Sequence, residues 1–328
     1  MPKNNNRSFK VPANLLTTSV LSACLLLLSL SLHGADGVST PAAVINAASA
    51  VEKEYAALQA QDDAATAEVE KWRQQNEELK AKGNGAPEEK LKERIRDRVE
   101  PVRKAYEDFI GRHPNHAQAR LTFGSFLNEL EEEAAAQAQW EKALELDATL
   151  APAYNNLAGI YTEGGEVKKA FEYFTKAIEL SPREASFYHN FGDSAYVLRK
   201  GVVKEFGLSE QEVYAKALQL YSNAVRLDST NFLFASDFAQ TFYALNPIPF
   251  EQALKAWTNA SKIAVPEEKR QGALVHLARL KMLEGRLAEA RSQLQAVTAP
   301  ECFQLKSNLL MRIAEREFEG KATNPGKK

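Results

Sequence analysis

Residues 151–184, APAYNNLAGIYTEGGEVKKAFEYFTKAIELSPRE, hold two amphipathic stretches joined by Gly164-Gly165. In the first, Tyr154, Leu157, Ala158 and Tyr161 recur at the three- and four-residue steps of one helical face. In the second, Ala170, Phe174 and Ala177 do the same, and Pro182 follows shortly after. The paired glycines mark a tight turn, so this segment predicts two antiparallel helices. Its small residues, Ala158, Ala170 and Ala177, let the two helices approach closely.

The same triplet, an alanine followed four and seven residues later by a large and then a small or β-branched residue, recurs along the chain. It appears as Ala136/Trp140/Ala143, Ala217/Tyr221/Ala224, Ala253/Trp257/Ala260 and Ala290/Leu294/Val297. A bulky-then-small pair stands upstream of each: Phe123-Gly124, Phe191-Gly192, Phe238-Ala239 and Leu277-Ala278, with Leu157-Ala158 in the segment first quoted. Successive first alanines are 34, 47, 36 and 37 residues apart, so the base period is 34. Glu284-Gly285 marks a second turn between paired helices.

This unit resembles the tetratricopeptide repeat (TPR), whose pattern runs W-x2-L-G-x2-Y, then A, F, A and P. Residues 151–184 match at almost every position, with Ala158 in place of the glycine. The resemblance implies an all-α fold, a right-handed α-solenoid of about five TPR helix pairs, preceded by a long heptad-patterned helix. The solenoid is expected over residues 117–298, behind a linker and degenerate capping half-repeat at 83–116 that ends with Val102, Tyr106, Phe109 and Pro114. A capping helix is expected over 299–319 and a disordered tail over 320–328. The third unit is 13 residues longer than the base period, which places an insertion near 199–211. It reads as a lengthened helix pair, with an apolar-tipped loop carrying Val202, Val203 and Phe206 as the alternative. Asn246-Pro247-Ile248-Pro249 reads as a rigid corner.

Upstream of the repeats, residues 36–82 form a separate element. Val44, Val51, Leu58, Ala65, Trp72 and Leu79 recur every seven residues, interleaved with Ala48, Tyr55, Asp62, Val69 and Asn76. This is a heptad stripe on one long helix, a coiled-coil candidate whose polar positions Asp62 and Asn76 weaken the seam while fixing register. Self-association and packing on the neighbouring helical domain both remain open. Gly83, Gly85 and Pro87 end the helix.

Residues 1–35 read as a signal peptide: Lys3, Arg7 and Lys10 precede an acid-free, leucine-rich run that ends near Ala35. An uncleaved anchor and lipidation at Cys24 are the alternatives, so any membrane contact is expected only through this segment. The expected location is the periplasm or cell envelope of a bacterium. The 41 Lys and Arg against 43 Asp and Glu give −2, and removing the three leader cations leaves −5. That balance lacks the basic footprint of a nucleic-acid binder. Two cysteines, Cys24 and Cys302, provide no disulfide framework.

In TPR arrays the first helices line a concave groove that holds an extended peptide or a partner's helix. Carried onto this chain, the resemblance puts Asn156 and Asn190 at equivalent groove positions. Asn155, His189, Asp193, Gln118, Ser125, Asn128 and Gln240 fall on or beside the same wall, with Tyr196 and Tyr243 as its aromatics. An Asn amide both donates and accepts, so it can pair with a client backbone whatever the side chains. Thr122 and Asp237 stand at that position in the flanking units. The groove variant that clamps a C-terminal carboxylate needs cations where this chain has Leu121, Ser125 and Ser186.

Catalytic patterns are thin. In His113-Pro114-Asn115-His116 a proline breaks the helix that would aim both imidazoles at one metal, so it reads as a turn between units. Glu131-Glu132-Glu133 and Glu267-Glu268 read as solvated charge runs, and Cys302 as a buried structural thiol. His276 lies on a first helix beside Leu277, and a Cys-His nucleophile has no further support. No phosphate loop, H-E-x-x-H or G-x-S-x-G is present. The expected function is a non-catalytic protein–protein interaction scaffold without cofactor or metal. It binds a protein or peptide client and is a candidate homo-oligomer. The alternative is an architectural envelope protein self-assembling through residues 42–82.

Overall fold

The computed structural model describes residues 41–323, with side chains over 49–319. The leader with Cys24 and residues 324–328 lie outside that range. Among the described residues there are fourteen α-helices, packed as consecutive antiparallel pairs, with short 3-10 turns and no strand. This is the helical solenoid fold of tetratricopeptide repeats. The chain divides into two compact units between Ala153 and Tyr154.

In the first unit, α1 (Pro41–Ala81) and α2 (Glu88–Arg112) form an antiparallel hairpin. The heptad stripe is its seam: Tyr55, Leu58, Ala65 and Val69 are buried, as are Val99, Val102, Tyr106 and Phe109 of α2. Both polar seam positions have partners within the chain. Asp62 accepts a 2.5 Å hydrogen bond from the Tyr106 hydroxyl. Asn76 accepts from the Ala86 amide at 2.7 Å and donates to the Ala86 carbonyl at 3.5 Å, which fastens the turn after α1. Arg94 stacks 3.7 Å from the Trp72 ring centre, and Arg98 pairs with Glu68 at 2.7 Å. The stripe read as a coiled-coil candidate is thus covered by α2 of the same chain.

Within the half-repeat expected at 83–116 there is a single helix. Residues 88–112 form one unbroken 25-residue helix. The apolar partner that Glu89 and Lys90 cannot supply comes from α1, so α1 and α2 make the first pair. Helices α3 (Ala117–Glu129) and α4 (Glu133–Leu146) make the next. Gly124 carries the close approach: a Cβ there would lie 2.5 Å from Trp140 Nε1, and that indole N–H donates to the Leu121 carbonyl at 3.1 Å.

The second unit holds the pairs α5 (Ala151–Glu163)/α6 (Val167–Leu180), α7 (Ala185–Val197)/α9 (Glu210–Leu227), α10 (Phe232–Thr241)/α11 (Phe250–Ile263) and α12 (Glu267–Leu283)/α13 (Leu287–Gln295). The triplet alanines Ala170, Ala177, Ala217, Ala224, Ala253, Ala260 and Ala290 are buried in these pairs with Phe174, Tyr221, Trp257 and Leu294. The turns obey a common rule. Gly165 and Gly285 take left-handed conformations (φ 72° and 90°), and the next amide reaches back five residues, Glu166 to Tyr161 and Arg286 to Lys281. Between α3 and α4 the same turn is made by Glu131 at φ 65°, with Glu132 N–H bonded to Leu127 O.

The insertion lengthens the pair, since α9 runs 18 residues against 14 in α6, and adds a helix of its own before it. Residues Arg199–Phe206 form a separate short helix, α8, ended by Gly207 at φ 68°. Ser209 and Glu212 then form a reciprocal capping box that starts α9. Val202 is buried with Val167 and Val213, and Phe206 stacks on Phe171 at 5.5 Å while staying 44% exposed. Gln211, the insertion's last residue, holds the proline corner: it donates to Ala244 O at 3.1 Å and accepts from Asn246 N at 2.8 Å.

At the C-terminal end a 3-10 turn, Pro300–Cys302, leads into α14 (Phe303–Thr323). This helix extends through 320–323, where the sequence predicts a disordered tail. Leu309 and Ile313 pack into a core with Met282, Leu294 and Cys302. Arg316 donates to the Met282 carbonyl at 2.8 Å and Lys306 to the Val297 carbonyl at 2.7 Å, which ties the terminal helix to the last pair. No helix among the described residues is long and apolar enough to cross a membrane.

Candidate functional site: a polar ladder along the first helices

The interior of the second unit is apolar, but its first helices are joined to one another by polar side chains. Thr162 of α5 meets Ser194 of α7 at 2.7 Å, both buried. Asn190 of α7 donates to Asn155 Oδ1 of α5 at 3.1 Å, and Asn155 donates to Asn156 Oδ1 at 3.3 Å. His189 Nε2 lies 2.9 Å from Asp237 of α10, and its Nδ1 lies 3.7 Å from Asp193 one turn on. The Tyr221 hydroxyl donates to the other Asp193 oxygen at 2.5 Å. Past α10, the Tyr243 hydroxyl donates to the His276 carbonyl of α12 at 3.1 Å. The ladder thus joins α5 to α7 and α7 to α10, and Tyr243, in the 3-10 turn after α10, makes a separate tie to α12.

Charge is handled differently at the two histidines. Burial alone would lower the His189 pKa, but the Asp237 hydrogen bond and the charges of Asp193 and Asp237 outweigh it and raise the value above 6.5. His276 is pushed down to about 4, first by burial and then by Arg279. Its neutral ring lies flat on Trp257, 4.0 Å between centres and 2° between planes. The Tyr243 ring in turn carries the Arg279 guanidinium at 4.6 Å.

These contacts revise the expected wall. Asn155 and His189 are buried, each 4% exposed, and turn their polar atoms to neighbouring side chains, Asn155 to Asn190 and Asn156 and His189 to Asp237. Asn190 and Asp193 are half-buried members of the same ladder, and Asn156 is half-buried at its edge. Tyr196 is half-buried against Tyr214, Tyr243 is half-buried, and Gln240 is exposed. Val197 and Leu233, 58% and 50% exposed on α7 and α10, add apolar area that the motif register does not mark. In the first unit Ser125 and Asn128 are half-buried on α3, whereas Gln118 lies under α1, its carbonyl accepting from the Tyr55 hydroxyl at 3.2 Å.

Asp237 is the main addition. It stands in α10 where Asn156 and Asn190 stand in α5 and α7, a register visible in the sequence. There it interrupts an Asn series, whereas in space it supplies the carboxylate for His189. Among the described residues, His189, Asp193 and Asp237 also place ligand-type atoms within 4.8 Å of one another. The imidazole Nε2 is already hydrogen-bonded to Asp237, which makes the trio a cross-helix polar cluster. The other reactive groups have structural positions. His116 Nδ1 accepts from the Ala119 amide at 3.0 Å and caps α3. Cys302 is buried, and burial together with Glu301 raises its thiol pKa.

The tetratricopeptide-repeat family model matches residues 151–184, the unit with the fullest motif. Among solved structures, the chain is similar to YrrB, described as a TPR protein with an unusual peptide-binding site. They share 20% identity, over 66% of this chain and 98% of that one, with a TM-score of 0.45. It is also similar to Pseudomonas aeruginosa pilF (16% identity, 79% and 99% coverage, TM-score 0.48). The thermophilic TPR protein TTC0263 of Thermus thermophilus is a third (21% identity, 60% and 99% coverage, TM-score 0.41). No curated protein matches the sequence.

Proposed function

We propose that this chain is a non-catalytic interaction scaffold that binds a protein or peptide client along the first-helix wall of its second unit. The polar ladder carries the reading. The first helices are fastened by buried and partly buried hydrogen bonds, so the wall is preorganised and loses little freedom when a client docks. Its outer edge then offers Tyr196 and Tyr243 for apolar contact, with Gln240 and the half-buried Asn156 for backbone pairing. The basic, acid-free, leucine-rich leader supports export to a bacterial envelope, where the client would be met. Self-assembly through residues 42–82 is the weaker reading, because Tyr55, Leu58, Ala65 and Val69 already face α2.

The test is crosslinked capture from native envelope with wild type and with Tyr196→Ala plus Gln240→Ala, neither of which is part of the ladder. A client enriched by wild type and lost by the folded variant supports the wall as the working surface. Equal capture by both refutes it.

A further inference from the structure

Acids and cations along the first-helix wall of the second unit differ in what holds them. Asp193 accepts from the Tyr221 hydroxyl and Asp237 is hydrogen-bonded to His189, so both carboxylates are engaged within the protein. Arg279 of α12 shares a register with Asp193, one position after the small residue of each first helix: Gly192-Asp193, Ala239-Gln240 and Ala278-Arg279. It is half-buried, and its guanidinium lies over the Tyr243 ring at 4.6 Å. Among the described residues it has neither a hydrogen bond nor a carboxylate partner. Contact with a ring occupies the flat face of a guanidinium and leaves its in-plane N–H fork, the part that matches a carboxylate with two parallel hydrogen bonds.

The charge of Arg279 is also uncancelled. His276, three residues earlier, is held at about 4, first by burial and then by Arg279, and no carboxylate acts on it in the opposite sense. The other wall tyrosine has a similar neighbour. Arg199 lies 6.0 Å from the Tyr196 ring centre, donates to the Tyr196 carbonyl at 3.4 Å and has no carboxylate partner among the described residues. In a chain whose net charge is negative, the charges this wall leaves unmatched are therefore positive.

We propose that the wall takes an acidic peptide segment, with Arg279 on Tyr243 receiving one carboxylate side chain and Arg199 beside Tyr196 a second. This rests on the reading of the wall as the client-binding surface and adds the chemistry of what it takes. A half-buried guanidinium with a free fork gains more from a carboxylate than an exposed one, because less water competes for its donors. A neutral or basic segment would leave the fork unmatched or repelled, so the wall selects by charge.

The test is a selection of short random peptides on the full chain. Recovered sequences are then synthesised with free and amidated C-termini and their binding is measured by fluorescence anisotropy. Sequences rich in Asp and Glu are expected, bound equally well in both forms and more weakly as salt is raised. Their Kd should rise at least about tenfold in Arg279→Gln. Because Arg279 makes no hydrogen bond or ion pair among the described residues, this variant leaves the fold intact, checked by circular dichroism and Tm. Repeating the selection on Arg279→Glu should turn the preference towards Lys and Arg. Recovered peptides without acidic bias, or acidic peptides whose Kd is unchanged in Arg279→Gln, would overturn the proposal. If such peptides are nonetheless lost in Tyr196→Ala plus Gln240→Ala, the wall stands as the binding surface and only its charge preference fails. Binding by the free-acid form alone would assign the carboxylate to a chain end, against the proposal. Binding that survives every variant, or a selection that recovers nothing, sinks the wall reading and the proposal together.

Discussion

Replacing Gly124 with alanine tests whether close helix approach is what the small residues are for. The added Cβ would sit 2.5 Å from Trp140 Nε1, 2.6 Å from Cδ1 and 3.1 Å from the Ala136 carbonyl. Ordinary contact begins near 3.4 Å, so the indole or the helix must yield by about 0.9 Å. The ring has little room to do so: Trp140 is 2% exposed, and its N–H is held by Leu121. Overpacking of this kind costs about 1–3 kcal/mol, and a weakened indole hydrogen bond adds about 1. Alanine's better helix propensity returns about 1, which leaves a net loss of about 1–3 kcal/mol. Gly159→Ala is the control, since nothing lies within 4 Å of its added Cβ. It should gain about 0.5–1 kcal/mol. Urea unfolding followed by tryptophan fluorescence compares the two, with Trp140 reporting directly on the perturbed pair. If Gly124→Ala proves as stable as Gly159→Ala, close approach does not hold α3 against α4, and the repeat reading of that pair fails.

Three other outcomes follow from the geometry. Glu131→Gly should stabilise the first unit by about 1 kcal/mol, because a non-glycine residue there occupies φ 65°; a denaturation midpoint unchanged or lowered would refute this. Tyr106→Phe should cost about 1–3 kcal/mol by removing the donor to the partly buried Asp62 carboxylate, and adding Asp62→Leu should recover most of the loss, a cycle read by urea unfolding. The two histidines should give the second unit a stability maximum near pH 6.5. His276 falls from 6.5 to about 4 on folding, so protonation favours the unfolded chain and up to about 3 kcal/mol is lost as pH drops from 6.5 to 4. His189 is shifted the other way, so its contribution is complete below pH 6.5 and is lost as pH rises through its higher folded value. Unfolding followed at Trp257, which stacks on His276, reads both limbs, and a flat profile from pH 4 to 8 would contradict them.

The repeat core is legible in the sequence because its signal is periodic. Ala170, Phe174 and Ala177 are fully buried, and Gly165 takes the left-handed turn that the motif requires. The long helix is also legible, but what it packs against is not. A heptad stripe is the same pattern whether the covering helix belongs to another molecule or lies thirty residues downstream. The partners of Asp62 and Asn76, Tyr106 and the Ala86 backbone, separate the two cases, as do Arg94 on Trp72 and Arg98 on Glu68. The separate helix in the insertion is not legible for a related reason. Val202, Val203 and Phe206 are equally apolar in an exposed tip and in a short helix folded back on Val167 and Phe171. Among the expected wall residues, the register assigns helix and face but cannot separate a side chain that meets a client from one that meets the next helix. Asn155 and His189 belong to the second kind.

That distinction assigns separate work to the two layers of the solenoid. The second helices bury alanines and aromatics between them, and the resulting stability is insensitive to direction along the wall. The first helices are joined by hydrogen bonds, which fix distance and angle as well as proximity. An apolar wall would hold the helices together equally well yet let them slide, and it would leave a sticky surface facing solvent. With its polar atoms already paired inward, this wall presents a defined spacing of Tyr196, Gln240 and Tyr243 without a large unsatisfied surface. Replacing a ladder residue such as Asn190 should therefore reduce client affinity even where the client never touches it, by relaxing the spacing between α5 and α7. Replacing Gln240 should act only through direct contact. The two variants differ in the free protein: amide exchange in α5 and α7 should quicken in Asn190→Ala and stay unchanged in Gln240→Ala. Equal exchange in both would mean that the ladder does not set the geometry of the wall.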